Sequence, residues 1–519
     1  MGPTAVTDLD ACVLARFPGT VVPDWLLRWL DDGLGGVVLF AGNIAGPGQL
    51  RSLTAQLRGR RPDLLIAVDE EGGDITRLEA RTGSSYPGNL ALGAGGDASV
   101  TRAVAAGIGA MLATEGINLD LAPVADVDAS PANPIVGVRS FGSAPAQVAE
   151  HVAAFIAGLQ GGGIAACAKH FPGHGAAEAD SHLVLPVIRR SLAQLRECDL
   201  VPFRAAIAAG VQTIMTAHVV FPDVDDRPAT LSHRWLTDVL RGELGFGGVI
   251  ITDALGMSAI DASVGCARGA VLALTAGADL LCMPADPDAQ RACRAALAAA
   301  AGDGRIPRER IAEAAARIRA LAAVAGEASG PGRANGSGTT PAATVLPDAS
   351  LSAAAARRAL VVDVTGVPLR HAPYVLDAGG RASTLLEDTA GSLLHVLRER
   401  EPGVSGIRLA DPVPALGAKE PEELVLAASP DGPVSRADLD AMLGAAAGRP
   451  VVVVVRDAQR QPWQRRLVGH VRAARPDALI VGTGTTRDHA LAPGRYLGTR
   501  GSARPNLAAA ADVLLGAPG

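Results

Sequence analysis

The stretch CAKHFPGHGAAEADSHLVLP, residues 167–186, gathers three of the chain's ten histidines and one of its two lysines into twenty positions. Lys169, His170, His174, Asp180 and His182 are the groups in it that could do chemistry. A zinc site would need three or four ligands in suitable geometry. His170 and His174 have the i, i+4 spacing of a helical ligand pair, but Pro172 breaks such a helix and Gly173 weakens it further. A metal would therefore need a site built from loops, with His170, His174 and His182 as its ligands. The other chemistry is acid–base. Asp180 and His182 are two apart, so an extended segment turns both to one side. The carboxylate would then hold the imidazole, fix its tautomer and raise its pKa toward neutrality. The plain alternative is a solvated Asp and His in a polar loop.

Three further stretches end apolar runs with polar groups. In GFGGVIITDALGM (245–257), Asp253 closes a run of β-branched residues, either as a satisfied structural carboxylate or as a nucleophile at the strand end. In IAVDEEGGDITRL (66–78), Asp69 ends a strand, Gly72 and Gly73 permit a sharp turn, and Arg77 can return toward the same place. The ordinary reading of that exit leaves Glu70 and Glu71 in solvent. In NPIVGVRSFG (133–142), Arg139 sits in a Gly-rich loop, where a solvated arginine is the default.

These groups need a scaffold that brings distant positions together. With 519 residues, 48% apolar, the chain is long enough for two domains. Aromatics are only 3%, so its cores must be built from Ala, Val and Leu. Short apolar runs recur at 11–17, 35–40, 64–69, 117–124, 164–171, 212–220, 248–255 and 277–283, with helical spacing between most of them. Runs apolar on both sides mark strands buried on both faces, as in parallel sheets. Their number and span fit an α/β chain with an N-terminal (β/α)8 barrel over residues 1–325. A doubly wound sheet is the runner-up, but GGVVLFAGNIAGPG is a poor phosphate-binding loop. Asp69, Asp126, Lys169 with His170, His218 and Asp253 all sit at the C-terminal ends of runs, and a barrel opens those ends onto one face. Residues 326–345 have the composition of a linker. Residues 346–519 are expected to form a smaller C-terminal α/β sandwich, with 422–429, 449–457 and 477–484 as buried parallel strands.

The remaining bounds are negative. Net charge is −6 with no basic stripe, which argues against nucleic acid. The six cysteines form no C-x-x-C pair, so free thiols in a reducing cytoplasm are expected. No leader pattern and no long apolar run is seen, so neither export nor a membrane partner is expected.

Taken together, KHFPGHG with DSH, then ITD, VDEEGG and RSFG, resemble glycoside hydrolase family 3. They look most like its bacterial β-N-acetylglucosaminidase branch, the NagZ-like enzymes of peptidoglycan recycling. RFPG (16–19), GGVVLFAGN (35–43) and PATLSHRWLTDVLRGELGFGGVIITDAL (228–255) support the likeness, which is strong over residues 11–325 and weaker after 345. The resemblance implies Asp253 as nucleophile, His182 as general acid/base with Asp180 as its partner, and Asp69, Arg77, Arg139, Lys169 and His170 as ligands of the sugar hydroxyls. It implies His174 as a shaper of the loop, no metal and no organic cofactor. Substrates would be glycans or muropeptides containing N-acetylglucosamine, and the chain would act as a monomer or homodimer. A phosphorylase using phosphate as acceptor, a β-glucosidase of the same family and a non-catalytic sugar-binding protein are the rivals. Glu70, Asp74 and Ala254 depart from the family pattern and bear on how charged substrates are chosen.

Overall fold

The computed structural model describes residues 8–181, 184–328, 349–380, 391–410, 425–429 and 432–516. The chain divides into two compact units. The first holds the described residues through Glu71, Thr76–Leu78, and those from Asp97 to 328. The second takes Gly72–Ile75, Glu79–Gly96 and the described residues from Ala349 onward.

In the first unit eight strands are β1 (Val13–Ala15), β2 (Gly36–Leu39), β3 (Leu65–Val68), β4 (Leu119–Asp120), β5 (Ala165–Phe171), β6 (Thr213–Thr216), β7 (Val249–Thr252) and β8 (Leu281–Cys282). All lie inside the apolar runs read from the sequence. They pair in parallel in the order β8-β1-β2-β3-β4-β5-β6-β7. A parallel bridge between Ile251 and Leu280 and the Thr252 N–H on the Leu280 carbonyl, 3.0 Å, close the ring. Every strand residue is buried because helices cover the outside and side chains fill the inside. Helices such as Pro145–Gly161, with proline in its first turn, and Pro287–Gly302 form the outer layer. The last of them, Arg308–Ala328, runs on past residue 325.

The barrel's aromatic packing is concentrated behind β5. Phe171 meets Phe203 at 88° and Trp235 at 82°, and Phe221 meets Trp235, all edge to face. All four rings are fully buried. In a chain this poor in aromatics, that cluster fixes the end of the strand that bears Lys169 and His170.

The second unit is a three-layer α/β sandwich. Its six strands are β9 (Val361–Val364), β10 (Tyr374–Asp377), β11 (Ser405–Arg408), β12 (Val451–Val455), β13 (Leu479–Gly482) and β14 (Arg495–Gly498), in the order β9-β14-β13-β12-β10-β11. Only β9 runs antiparallel to its neighbour. Alternate residues divide between two cores: Val451, Val453 and Val455 pack with Leu439, Leu467 and Val471, while Val452 and Val454 pack with Leu397, Leu507 and Leu514. The segment expected as a parallel strand at 422–429 differs. Val425–Ser429 pairs antiparallel with Gly432–Ser435 in a separate hairpin, because a nearby return strand supplies its partner. Within this unit, the buried Asp74 pairs with Arg456 and accepts the Ser502 N–H and hydroxyl at 2.6 and 2.9 Å. The interval assigned to the linker lies, from 329, outside the described residues.

Replacing Phe171 by Ala should cost about 3–5 kcal/mol, the usual loss for an aromatic deleted from a close-packed core. Denaturant unfolding of Phe171→Ala against the parent chain checks this, and a loss below about 1 kcal/mol would refute the anchoring role given to the cluster.

Candidate active site at the C-terminal mouth of the barrel

β3 stops at Val68 and delivers Asp69, Glu70 and Glu71 in succession. Gly72 and Gly73, at φ of 72° and 63°, then turn the chain in the left-handed region that a side chain would strain. The turn returns Arg77 to the mouth. Glu70 ties the return down: its Oε2 accepts the backbone N–H groups of Arg77 and Leu78 at 2.8 and 3.1 Å. Its own N–H donates to Asp120 Oδ1 at 3.0 Å. Burial pushes the Asp120 carboxyl well above the usual carboxylate range.

Glu71 is the centre of the charge arrangement. It accepts a bidentate pair from Arg139 at 2.9 and 2.8 Å and lies 2.8 Å from Lys169 Nζ. Lys169 also donates to Asp69 Oδ1 at 2.7 Å, and Arg77 Nη2 stands 4.0 Å from Asp69 Oδ2. Lys169 and Glu71 are each only 2% exposed, so these charges persist only as a set. Burial works against the charged form of each. The opposing charges win, holding Glu71 ionised far below the usual carboxylate range and Lys169 and Arg139 protonated above theirs. Neither Glu70 nor Glu71 is in solvent: both are buried, and Arg139 is buried too, in the helical turn Gly137–Arg139.

A second layer holds the histidines. Asp126, fully buried after β4, accepts from His170 Nδ1 at 2.7 Å, from the His174 N–H at 2.7 Å and from the His170 N–H at 3.3 Å. Burial raises this carboxyl, but His170 and His174 together outweigh it and keep it below its ordinary value. An ionised carboxylate only accepts, so His170 carries a proton on Nδ1. His174 Nε2 lies 3.1 Å from Ser181 Oγ, and Asn133 Nδ2 donates to the His174 carbonyl at 2.8 Å. Gly175 presses on the Val127 carbonyl so closely that a Cβ would lie 1.6 Å from its oxygen. The loop leading to Asp180 is thus pinned at its base. Asp180 itself is half-buried, and its carbonyl accepts the Val184 N–H at 2.9 Å. His182 lies outside the described residues.

Asp253 follows β7 and is half-buried, with Oδ1 accepting the Ala254 N–H at 2.7 Å. The eight barrel strands run parallel, so Asp253, the residue after β7, leaves the barrel at the same end as Asp69 after β3 and Lys169 on β5. Asp69, Arg77, Arg139, Lys169, His170, Asp180 and Asp253 therefore all gather at one end of the barrel. Fixed donors beside a partly exposed acceptor suit the neighbouring hydroxyls of a polyol. His170 Nδ1 and His174 Nε2 are engaged by Asp126 and Ser181, and among the described residues no group of three or more His, Cys, Asp or Glu is arranged to hold a metal ion. All six cysteines are free thiols.

Glu71 and Asp126 carry most of this geometry, yet Glu71 was read as solvated and Asp126, though noted at a strand end, was given no role. The signal for Glu71 was the pair of cations, Lys169 and Arg139, which a barrel interior accepts only with carboxylates beside them. The signal for Asp126 was its strand-end position next to the histidine-rich stretch.

The buried His174 has its pKa pushed down to about 4, chiefly by burial. The unfolded chain binds its proton at the ordinary histidine value of 6.5. Between those values the unfolded state holds more protons, so stability falls as pH drops through that window, by about 3 kcal/mol in all. Unfolding free energies of the parent and His174→Gln, measured from pH 7 to 4, should show the parent's slope flattened in the variant.

Residues 22–321 match the glycosyl hydrolase family 3 N-terminal domain. The chain is 43% identical over 270 residues to a β-hexosaminidase of Neisseria meningitidis serogroup C, covering 50% of this chain and 74% of that one. It is 43% identical over 251 residues to a β-hexosaminidase of Pseudomonas aeruginosa, covering 48% and 74%. Among solved structures, a glycoside hydrolase family 3 β-N-acetylglucosaminidase from Paenibacillus sp. aligns at 32% identity with a TM-score of 0.85, covering 98% of this chain and 96% of that one. On the match of its barrel and the identity of these relatives, the chain belongs to glycoside hydrolase family 3.

Proposed function

We propose that the chain is a retaining exo-β-N-acetylglucosaminidase that removes terminal β-linked N-acetylglucosamine from peptidoglycan or chitin fragments through a covalent glycosyl–Asp253 intermediate. One geometric fact supports the reading: the half-buried Asp253 follows β7 at the same end of the parallel barrel where Asp69 and Lys169 stand. The substrate class follows the Paenibacillus relative, which aligns along nearly the whole of both chains.

Asp69, Arg77, Arg139, Lys169 and His170 bind the hydroxyls of the terminal sugar. The Ala254 N–H holds Asp253 Oδ1, and the carboxylate attacks the anomeric carbon. The bond to the leaving oxygen breaks as that oxygen takes a proton from His182. Water then attacks the same carbon, gives its proton to His182 and frees Asp253, so the anomeric configuration is retained. Retaining enzymes usually place two carboxyls about 5 Å apart. In this reading a histidine, His182, replaces one of them. An imidazole titrates near ~6.5 without help from burial, whereas a carboxyl acid must be driven upward. Asp180 holds the imidazole and stabilises its cation. Each step uses side chains alone.

Asp253→Ala should abolish release of the aryl group from an aryl β-N-acetylglucosaminide. His182→Ala should slow poor leaving groups by about 10²–10⁴-fold and activated ones much less, since only the former need the proton. Retained turnover in Asp253→Ala would refute the reading.

The acceptor and the sugar are separable by one assay. Aryl β-N-acetylglucosaminide and aryl β-glucoside, each with and without phosphate, should yield free N-acetylglucosamine from the first and little product from the second. Sugar 1-phosphate would identify a phosphorylase, a preference for the glucoside a β-glucosidase, and binding without turnover of either a sugar-binding protein.

A further inference from the structure

His218 sits beyond β6, fully buried, and no step above uses it. Its ring joins two parts of the barrel. Nε2 lies 3.1 Å from the Ala254 carbonyl oxygen, and Nδ1 lies 2.8 Å from Thr230 Oγ1. A carbonyl only accepts, so Nε2 carries the hydrogen toward Ala254, while Nδ1 faces the Thr230 hydroxyl, which also donates to the Ala217 carbonyl at 3.0 Å. Thr230 Oγ1 is itself 2.8 Å from Thr216 Oγ1 at the end of β6. The ring is therefore held in one orientation by a hydroxyl pair rooted in that strand.

Ala254 is the residue after Asp253, and its carbonyl has a second donor. It accepts the Met257 N–H at 3.0 Å, closing the turn 254–257 that follows β7. That turn is packed tightly: a Cβ on Gly256 would lie 2.8 Å from Pro284 Cβ. The Ala254 N–H in turn donates to Asp253 Oδ1 at 2.7 Å. The path from the imidazole to the reacting carboxylate thus passes through one residue's backbone.

We propose that His218 is a positioning residue that clamps the Ala254 carbonyl and so aims the Asp253 carboxylate at the anomeric carbon. The proposal rests on the reading of Asp253 as nucleophile. Its logic is that of any covalent catalyst: the attacking oxygen must be held in line with the breaking bond, and a misplacement of about 1 Å costs about 100-fold in rate. The clamp touches none of the Lys169, Glu71 and Arg139 contacts, so it acts on the chemical step and leaves sugar binding alone.

Glutamine carries its amide nitrogen as many bonds from the backbone as His218 Nε2, whereas asparagine falls one short and phenylalanine has no donor. His218→Gln should therefore keep kcat within a few-fold, while His218→Asn and His218→Phe lose about 100-fold. All three should bind the product N-acetylglucosamine with the parent's Kd by calorimetry. Should the Phe variant not fold, the Gln and Asn pair decides the matter. Equal kcat in Gln and Asn variants would overturn the proposal, as would product affinity falling in step with kcat. Labelling with a 5-fluoro glycosyl fluoride of N-acetylglucosamine, read by peptide mass spectrometry, separates this proposal from its premise. Label on a residue other than Asp253 overturns the nucleophile assignment and the proposal with it. Label on Asp253 that forms at the parent rate in His218→Asn overturns the clamp alone.

Discussion

The barrel mouth rests on one buried carboxylate. Glu71 receives Arg139 through two hydrogen bonds and Lys169 through a third contact, and Lys169 passes the network on to Asp69. None of these charges would survive alone in such a place, since removing one partner from a buried pair costs about 3–5 kcal/mol through the charge left behind. The arrangement therefore exists whole or not at all. That cost is borne by the fold before any ligand arrives, so the donors need not reorganise when one does. A lysine suits the central position because its compact ammonium can serve two carboxylates at once, while the planar guanidinium of Arg139 matches the two oxygens of Glu71.

A second constraint stacks on the first. Asp126 adds to the field that keeps Arg139 charged, but its hydrogen bonds go elsewhere. It gathers the His170 ring and the backbone N–H groups of both His170 and His174. One carboxylate thus shapes the exit of β5 and the start of the loop that leads to Asp180. The Phe171, Phe203 and Trp235 rings brace the same strand end from the opposite side. Electrostatics and packing meet at two adjacent residues, His170 and Phe171, which is why the short sequence around them carries so much information.

Much of this was legible before any coordinates. Buried parallel strands read as apolar runs, and all eight strands of the barrel fell within the runs so marked. The rule that strand C-termini converge then brought Asp69, Lys169, His170 and Asp253 together from positions nearly two hundred residues apart. Arg77 and Arg139 came from glycine-rich exits, where sequence alone cannot tell a returning side chain from a solvated one. Glu71 was hidden for a related reason: DEEGG reads as a polar loop, and only the presence of Lys169 and Arg139 nearby in space makes its burial possible. The hairpin at Val425–Ser429 was misread because a strand's partner is a tertiary fact, while its apolar pattern is a local one. His218 looked like any strand-end histidine, since the carbonyl it meets lies thirty-six positions further along the chain.

The two sides of the mouth also differ in how they meet solvent, and the chemistry proposed for them follows that difference. Lys169, Glu71 and Arg139 are buried, with ionisation states fixed far from neutrality. Such groups recognise; they do not trade protons near pH 7. Asp180 and Asp253 are half-buried, and the loop just past residue 183 exposes Val184 and Val187 by more than half. Groups at that edge can meet a leaving alcohol and an incoming water. A carboxyl acid there would need the apolar burial that the edge does not supply, whereas a histidine needs none.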